Sequence, residues 1–511
     1  MKRKRKIEFQ RLIYGRTLLT ILLLLLQFYY LFSGMFWFVE KLPVLFGSTV
    51  VFTGVVLCWI LNSKGNPSIK LSWCILVAIF PLLGTVLYLF FRFDWGHKAL
   101  HRRVEAVKRD AAERMPDFDG MDQTLRRADP GFAAMAVYMQ KQGFATYPGT
   151  GVKYLPLGES MLEEMLRQLE QAEKYIFLEY FAIAPSYFWD SILKVLKRKA
   201  AQGVEVRLLY DGSCAVSYLP HDYPGKLQQM GIQCKVFSPF LPLVSSHYNN
   251  RDHRKMMIID GKVAFTGGIN ILDRYINRKE VFGHWKDTGI MVEGAAAHGF
   301  ALLFLQMWNV DEKQPVYEPY LPSYQCPMEK GLVIPFGDAP SDDENVAEMV
   351  YLNMLNQAKR YVYIMTPYLI LDNEMVTALT FAAKRGVDVR IVLPHIPDKK
   401  YAFVLAKSHY RELIDAGVRI WEYTPGFVHG KMFLCDDLQA VVGTVNLDYR
   451  SLYLHFECGA YLYQVDALSD IRQDFEQTME ISQEITAEAA GKQGFFSILA
   501  GKLLKIIAPL L

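Results

Sequence analysis

Asn249-Asn-Arg-Asp-His253-Arg-Lys255-Met-Met-Ile-Ile-Asp260-Gly261 returns later in the chain as Gly426-Phe-Val-His429-Gly-Lys431-Met-Phe-Leu-Cys-Asp436. Both stretches carry His-x-Lys with an aspartate five residues further on, and in both an asparagine, Asn270 or Asn446, falls 17 residues after the histidine. The repetition extends upstream. Lys174-Tyr-Ile-Phe-Leu-Glu-Tyr-Phe181 matches Arg360-Tyr-Val-Tyr-Ile-Met-Thr-Pro-Tyr368, and Gly203-Val-Glu-Val-Arg-Leu-Leu-Tyr210 matches Gly386-Val-Asp-Val-Arg-Ile-Val-Leu393. The offset between halves is 186 residues at the first of these runs, 183 at the second and 176 at the histidine, a drift that small insertions explain, with the first half longer around Leu241–Arg251. Short β-rich runs alternate with helical stretches, which is the pattern of α/β layers. A duplicated α/β unit predicts two lobes, 146–315 and 316–490, facing each other with a site at the seam. The acidic, proline-containing stretch Asp311–Asp343 is the expected connection between them.

The residue types point to a chemistry. His and Lys two apart on a strand share a face, an arrangement that suits a site and that a core strand avoids. If the lobes bring His253, Lys255 and Asp260 together with His429, Lys431 and Asp436, the pair of sets makes one catalytic centre for a phosphodiester. Lys255, Lys431, Asn270 and Asn446 then supply donors to the non-bridging oxygens and stabilise the extra charge of a pentavalent transition state. One histidine attacks phosphorus to form a phosphohistidine. The other protonates the leaving alkoxide and then deprotonates the incoming alcohol. A pKa near neutrality suits the imidazole to both tasks. The lysines do the charge work, so neither metal nor cofactor is required. Each histidine needs an acceptor on its second nitrogen. Asp287, 34 residues after His253, and Glu457, 28 residues after His429, are the candidates, each on what reads as the next strand.

The same chain is rich in lipid-compatible sequence. Of its 511 residues 51% are hydrophobic and 21% charged, below the roughly 25% charged of a soluble domain. The net charge of +3 gives no support to a nucleic-acid partner. Seven scattered cysteines (Cys58, Cys74, Cys214, Cys234, Cys326, Cys435, Cys458), without a C-x-x-C, exclude a disulfide framework or a cysteine zinc site. Within residues 1–95 three runs free of charge, Thr17–Val39, Leu42–Leu61 and Leu71–Phe91, each reach the roughly 20 residues a bilayer core needs. Tyr29, Tyr30, Trp37, Trp59, Trp73 and Tyr88 stand toward their ends as expected interface anchors. The first run follows a basic start and reads as an uncleaved anchor, since no small-x-small cleavage site follows. That basic start and the cluster Arg92, Lys98, Arg102, Arg103, Lys108, Arg109 both favour the cytoplasmic side, which three full crossings cannot satisfy. Pro81 and Gly84 make the third run the candidate for a re-entrant segment. Residues 96–145 are the expected linker, and the apolar tail 491–511, with Lys502 and Lys505, reads as an interfacial helix.

The paired motifs resemble the phospholipase D superfamily, and over nearly the whole chain the sequence is similar to its bacterial cardiolipin synthase branch. Pro81-Leu-Leu-Gly84-Thr-Val-Leu-Tyr88, Glu179-Tyr180-Phe181, Tyr210-Asp211-Gly212, His253 through Asn270, Trp285-Lys-Asp287-Thr288, Thr366-Pro367-Tyr368 and Gly443-Thr-Val-Asn446-Leu-Asp448-Tyr-Arg450-Ser451 carry the resemblance. It implies two phospholipase D-like lobes with the active site at their interface, behind N-terminal transmembrane helices in a multi-pass protein of the bacterial cell membrane. It also implies a reaction in which two phosphatidylglycerol molecules give cardiolipin and glycerol, with His253 as nucleophile and His429 as acid and base. Another phosphatidyltransferase or a hydrolytic phospholipase D is the alternative. The chain departs from the family pattern in having Gly289 after Trp-x-Asp-Thr, three candidate spans in place of two, and His455 where asparagine usually precedes Phe-Glu.

Overall fold

The computed structural model describes residues 25, 29, 42–92, 95–116, 127, 129–239, 250–322, 330–340, 344–492 and 494–510. The chain divides into two compact units, residues 1–100 with 240–249 and 505–511, and residues 101–239 with 250–504.

The larger unit holds the repeat. Its first half contributes strands β1 (Thr150–Leu155), β2 (Tyr175–Tyr180), β3 (Glu205–Asp211), β4 (Ile232–Phe237), β5 (Lys255–Ile259), β6 (Val263–Gly267), β7 (His284–Lys286) and β8 (Gly289–Gly294). The second contributes β9 (Leu332–Asp338), β10 (Tyr361–Met365), β11 (Asp388–Pro394), β12 (Arg419–Tyr423), β13 (Gly426–Val428), β14 (Met432–Cys435), β15 (Gln439–Gly443), β16 (Glu457–Tyr463) and β17 (Gln483–Glu484). Two mixed sheets result, ordered β1-β8-β6-β5-β2-β3-β4 and β9-β16-β15-β14-β10-β11-β12-β17. Strand for strand the first seven places correspond, which is the duplicated α/β fold expected from the sequence. In each sheet three consecutive strands (β2, β3, β4 or β10, β11, β12) run parallel, and the motif strand (β5 or β14) lies antiparallel to the first of them.

Central strands buried on both faces lose the alternation of a half-exposed strand, and β2, β5, β10 and β14 are accordingly buried at every position. Parallel neighbours need helical crossovers. The helix Tyr187–Ala201 supplies one, started by Ser186, whose Oγ accepts from Trp189 N at 3.2 Å. The helix Ala296–Asn309 is buried at every position but His298 and packs against β9 as well as β2, β5, β6 and β8.

The stretch expected to connect the lobes contains β9, whose pairing with β16 makes it part of the second sheet. The segment 96–145 is not a bare linker. It holds the helices Trp95–Ala112 and Pro130–Lys141, and the second lies on the second lobe, where Phe132 stacks on Tyr463 at 3.8 Å and Asp129 accepts from the Tyr463 hydroxyl at 3.0 Å. The longer stretch ahead of the first motif lies outside the described residues from 240 to 249.

In the smaller unit the second apolar run forms the helix Leu42–Asn62. The third run is broken at Phe80 into helices Pro67–Ile79 and Pro81–Arg92. Pro81 cannot continue the first helix, and the two fold back closely enough that a Cβ on Gly84 would stand 2.7 Å from Leu76 O. Trp59 and Trp73, expected as interface anchors, instead meet Tyr88 edge-on at 5.6 Å each around a cluster of Val56, Ile60 and Val77. Among the described residues no helix is long and apolar enough to cross a membrane. The first apolar run lies outside them except for Leu25 and Tyr29. The tail forms a helix, Phe495–Ile507, and Ser72 Oγ donates to Ile506 O at 2.5 Å.

Candidate active site

Two short ladders stitch the lobes together, and each delivers one histidine. Strand β13 of the second lobe pairs in parallel with β7 of the first, Val428 opposite Lys286. The next residues after the two strands are His429 and Asp287. His429 N donates to Lys286 O at 2.6 Å, and the ring Nδ1 reaches Asp287 Oδ2 at 2.6 Å. Related by the repeat, Asp252 bridges Phe456 in parallel, His253 N donates to Phe456 O at 2.9 Å, and the next side chains, His253 and Glu457, meet with Nδ1 at 2.9 Å from both carboxylate oxygens.

The acids named from the sequence are therefore beside the histidines, but crossed. Asp287 serves His429 and Glu457 serves His253, so neither pair exists until both lobes are folded. The reason is register. Parallel pairing of β7 with β13 sets Val428 opposite Lys286, so the next residues, His429 and Asp287, come side by side across the lobes.

An imidazole whose Nδ1–H donates to a carboxylate carries its lone pair on Nε2, so both rings turn an acceptor nitrogen toward the cleft. Lys431 Nζ also lies 2.9 Å from His429 Nδ1. One nitrogen cannot donate to Asp287 and accept from an ammonium in the same tautomer. The lysine is held instead by the carbonyl oxygen of His429, as Lys255 Nζ is held by His253 O at 2.5 Å. Neither lysine forms an ion pair among the described residues. Both are buried, and burial pushes Lys255 down to about 8 and Lys431 down to about 7, against the pull of Glu457 and Asp287. Two buried lysines with no carboxylate in direct contact make a site for an anion.

The histidines respond to the same burial. His253 is pushed down to about 3, and His429 well below its ordinary value by burial and by the charges of Lys431, Lys255 and His253. That His429 feels Lys255 and His253 reflects how closely the two motifs converge. The acids differ from each other. Burial would raise Glu457, but His253 outweighs this and holds the carboxylate well below the usual range, with the Thr444 hydroxyl donating to Oε2 at 2.5 Å. Asp287 has Gly268 where its counterpart has Thr444, takes one backbone donor, Thr288 N at 2.8 Å, and is raised to about 7 by burial. A Cβ on Gly268 would stand 2.1 Å from Asp287 Oδ1, so only glycine fits there.

The motif aspartates, counted with the catalytic sets from their spacing, stand elsewhere. Asp260 accepts from the backbone N–H groups of Glu173, Lys174 and Tyr175, each at 2.8 Å, and Asp436 from those of Lys359, Arg360 and Tyr361 at 2.7, 2.8 and 2.8 Å. Both follow the far end of the motif strand, roughly 15 Å of extended chain from the lysine. Their work is to hold the start of β2 or β10 against the motif strand. Asn270 and Asn446 flank the site. Asn270 Oδ1 accepts from Ala182 N at 3.1 Å and its Nδ2 donates to the Tyr275 hydroxyl at 2.8 Å, while Asn446 Nδ2 donates to Ser451 Oγ at 3.1 Å. Each amide keeps a second N–H. Thr444 lies within the second motif without having been assigned a role, and Tyr275, whose ring lies 5.3 Å from that of His429, is a further site residue. The signal was present, because Tyr275 and Ser451 both sit five residues after their asparagine.

A family model described as "Cardiolipin synthase, PLD-like domain" matches residues 165–308 and 351–479, which contain every one of these side chains. The chain belongs to the cardiolipin synthase family of the phospholipase D superfamily. A second model, "Phospholipase_D-nuclease N-terminal", matches residues 51–92. Among relatives of the family, a cardiolipin synthase of Alkalihalophilus pseudofirmus is 32% identical over 93% of this chain and 95% of its own. A cardiolipin synthase of Geobacillus kaustophilus is 33% identical over 92% and 93%. An uncharacterized protein of Streptococcus mutans is 48% identical over 89% and 99%. In fold, the chain is similar to a phosphatidylserine synthase of Haemophilus influenzae, with a TM-score of 0.54 over 70% of this chain and 93% of that one, at 16% identity.

Proposed function

We propose that this member of the cardiolipin synthase family transfers a phosphatidyl group from one phosphatidylglycerol to another, giving cardiolipin and glycerol. His253 Nε2 attacks phosphorus, the N–P bond forms as the bond to the glycerol oxygen breaks, and His429 gives that oxygen its proton. The hydroxyl of a second phosphatidylglycerol then loses its proton to His429 as its oxygen attacks phosphorus and the N–P bond breaks. Lys255, Lys431 and the free N–H of Asn270 and Asn446 take the non-bridging oxygens. No metal or cofactor enters these steps.

The observation that carries the reading is the crossed pair of histidine–carboxylate contacts beside two buried lysines. The difference between the acids supports the division of labour. A firmly ionised Glu457 suits the ring that becomes positive on forming the phosphohistidine. An Asp287 near its titration midpoint suits the ring that gains and loses a proton. In the empty site burial keeps His429 neutral. An arriving phosphodiester anion reverses that balance, so the acid is charged as substrate binds.

Attachment to the cell membrane through the apolar runs of residues 1–95 belongs to the same proposal. It is supported by exposed Val50, Val51, Phe52, Val55 and Leu61 on the helix Leu42–Asn62 and by exposed Phe496, Leu503 and Ile507 on the tail helix. The test is purified protein in phosphatidylglycerol vesicles, without added metal or CDP-diacylglycerol. Cardiolipin and glycerol should appear in equal amounts. Phosphatidic acid alone would favour hydrolysis, and a requirement for CDP-diacylglycerol would overturn the donor assignment.

A further inference from the structure

The site contains a third histidine that the transfer does not use. His455 precedes the Phe456–Glu457 pair that joins the lobes. Its ring lies 5.3 Å from that of His253, and its Nδ1 stands 3.6 Å from Glu457 Oε1, buried and without a hydrogen-bond partner. Its Nε2 faces the other way, accepting from Arg450 Nε at 3.4 Å. His253 Nδ1 approaches the same Glu457 oxygen at 2.9 Å. Ligand atoms of all three residues lie within 4.8 Å of one another.

We propose that His253, His455 and Glu457 form a chelating site for a borderline divalent cation such as Zn2+, and that filling it disables the enzyme. Zinc binds imidazole and carboxylate at about 2.0–2.2 Å in tetrahedral geometry, which sets neighbouring ligand atoms about 3.3 Å apart. The separations of 2.9 and 3.6 Å to Glu457 Oε1 bracket that spacing. Two imidazoles and one carboxylate favour zinc over magnesium or calcium, which take oxygen ligands. Glu457 is held by the Thr444 hydroxyl at 2.5 Å, and His253 by its backbone bond to Phe456 O, so two of the three ligands are set before the ion arrives. The ion would lie on the Nδ1 side of the His253 ring, against the fully buried Glu457.

The consequence for the reaction follows from the ring's single proton. In the metal-free site it sits on Nδ1 and the lone pair of Nε2 is available to attack phosphorus. Zn2+ takes Nδ1 of both rings: the His253 proton moves to Nε2, so the nucleophile is gone, and the His455 proton moves from Nδ1 to its own Nε2, giving up the bond from Arg450. Removing the ion restores it with no covalent change. Inhibition rests on His253 being the attacking group, whereas binding does not.

The experiment uses full-length protein in detergent, stripped with a chelator and dialysed against buffered Zn2+, with bound metal counted by mass spectrometry and cardiolipin synthesis measured in parallel. Wild type and His429→Ala, which lacks a transfer residue but keeps all three ligands, should each bind one equivalent. His455→Asn should bind at least about 100-fold more weakly, since loss of even an outer-shell partner costs 10- to 100-fold, and its half-inhibiting zinc concentration should rise by the same factor. Glu457→Gln should weaken binding similarly, as a check independent of any folding defect at residue 455. Zinc bound or inhibiting equally in wild type and His455→Asn overturns the proposal, and so does the absence of zinc from wild type. If metal-free enzyme makes no cardiolipin, the transfer reading fails while the dialysis still decides the site.

Discussion

Glutamine at position 457 keeps the size of the side chain and removes its charge. The carboxylate lies 2.9 Å from His253 Nδ1 through either oxygen, and the ring turns positive as the N–P bond forms. Opposite charges about 4 Å apart attract by about 4 kcal/mol at an effective dielectric constant of about 20. The substitution should therefore slow phosphohistidine formation by about a thousandfold. Asp287→Asn should slow turnover comparably, but through His429. The two are separated by a substrate whose leaving group needs no proton, a phosphatidyl ester of p-nitrophenol, with coloured product followed in the first turnover. Asp287→Asn and His429→Ala should recover most of the wild-type burst, because the acid is no longer needed. Glu457→Gln and His253→Ala should not, because the nucleophile still is. If Glu457→Gln instead behaves like His429→Ala, the acid serves the histidine of its own half and the crossed arrangement is refuted.

Thr444→Val removes the hydroxyl from Glu457. A hydrogen bond to a charged group is worth about 1.5–3 kcal/mol, so kcat should fall about 10- to 100-fold with KM little changed. Asp260→Ala deprives three backbone N–H groups of their acceptor and should lower stability by about 3 kcal/mol or more in denaturant melts, while the rate per folded molecule stays near wild type. Because burial pushes Lys431 down to about 7, its charged form is present below that pH and lost above it. The profile of kcat/KM should accordingly fall on the alkaline side with an apparent pKa near 7, and a profile flat to about pH 9 would show that Lys431 does not grip the phosphate. Gly268→Ala, which would drive a methyl into Asp287, should abolish activity.

The repeat made the fold legible. Two strands and a motif recurring at nearly constant offset are enough to predict two equivalent sheets, and the strand orders agree place for place. The histidines and lysines were legible too, because His-x-Lys recurs ahead of the same apolar run in both halves, although only Lys255 of the four lies within a strand and the others stand just before β5 and β14. The exchange of partners was not. It depends on β7 and β13, three residues each, too short to leave a periodic signal, and on contact between lobes that linear spacing does not encode. Spacing also misled at Asp260 and Asp436. Their constant distance from the lysine reflects the length of the motif strand, after which each side chain turns back to cap a neighbouring strand from a left-handed backbone conformation, with φ of 54° and 56°. Pro81 and Gly84 announced the break in the third apolar run. Nothing in sequence spacing announced that Trp59, Trp73 and Tyr88 would pack on one another.

One site built from two halves should hold one phosphorus at a time. Wild-type protein mixed with headgroup-labelled and phosphorus-labelled phosphatidylglycerol and quenched in the first turnover should carry at most one base-stable, acid-labile phosphatidyl group per chain, all of it on the peptide containing His253. Two groups per chain, or label on the His429 peptide, would contradict the account.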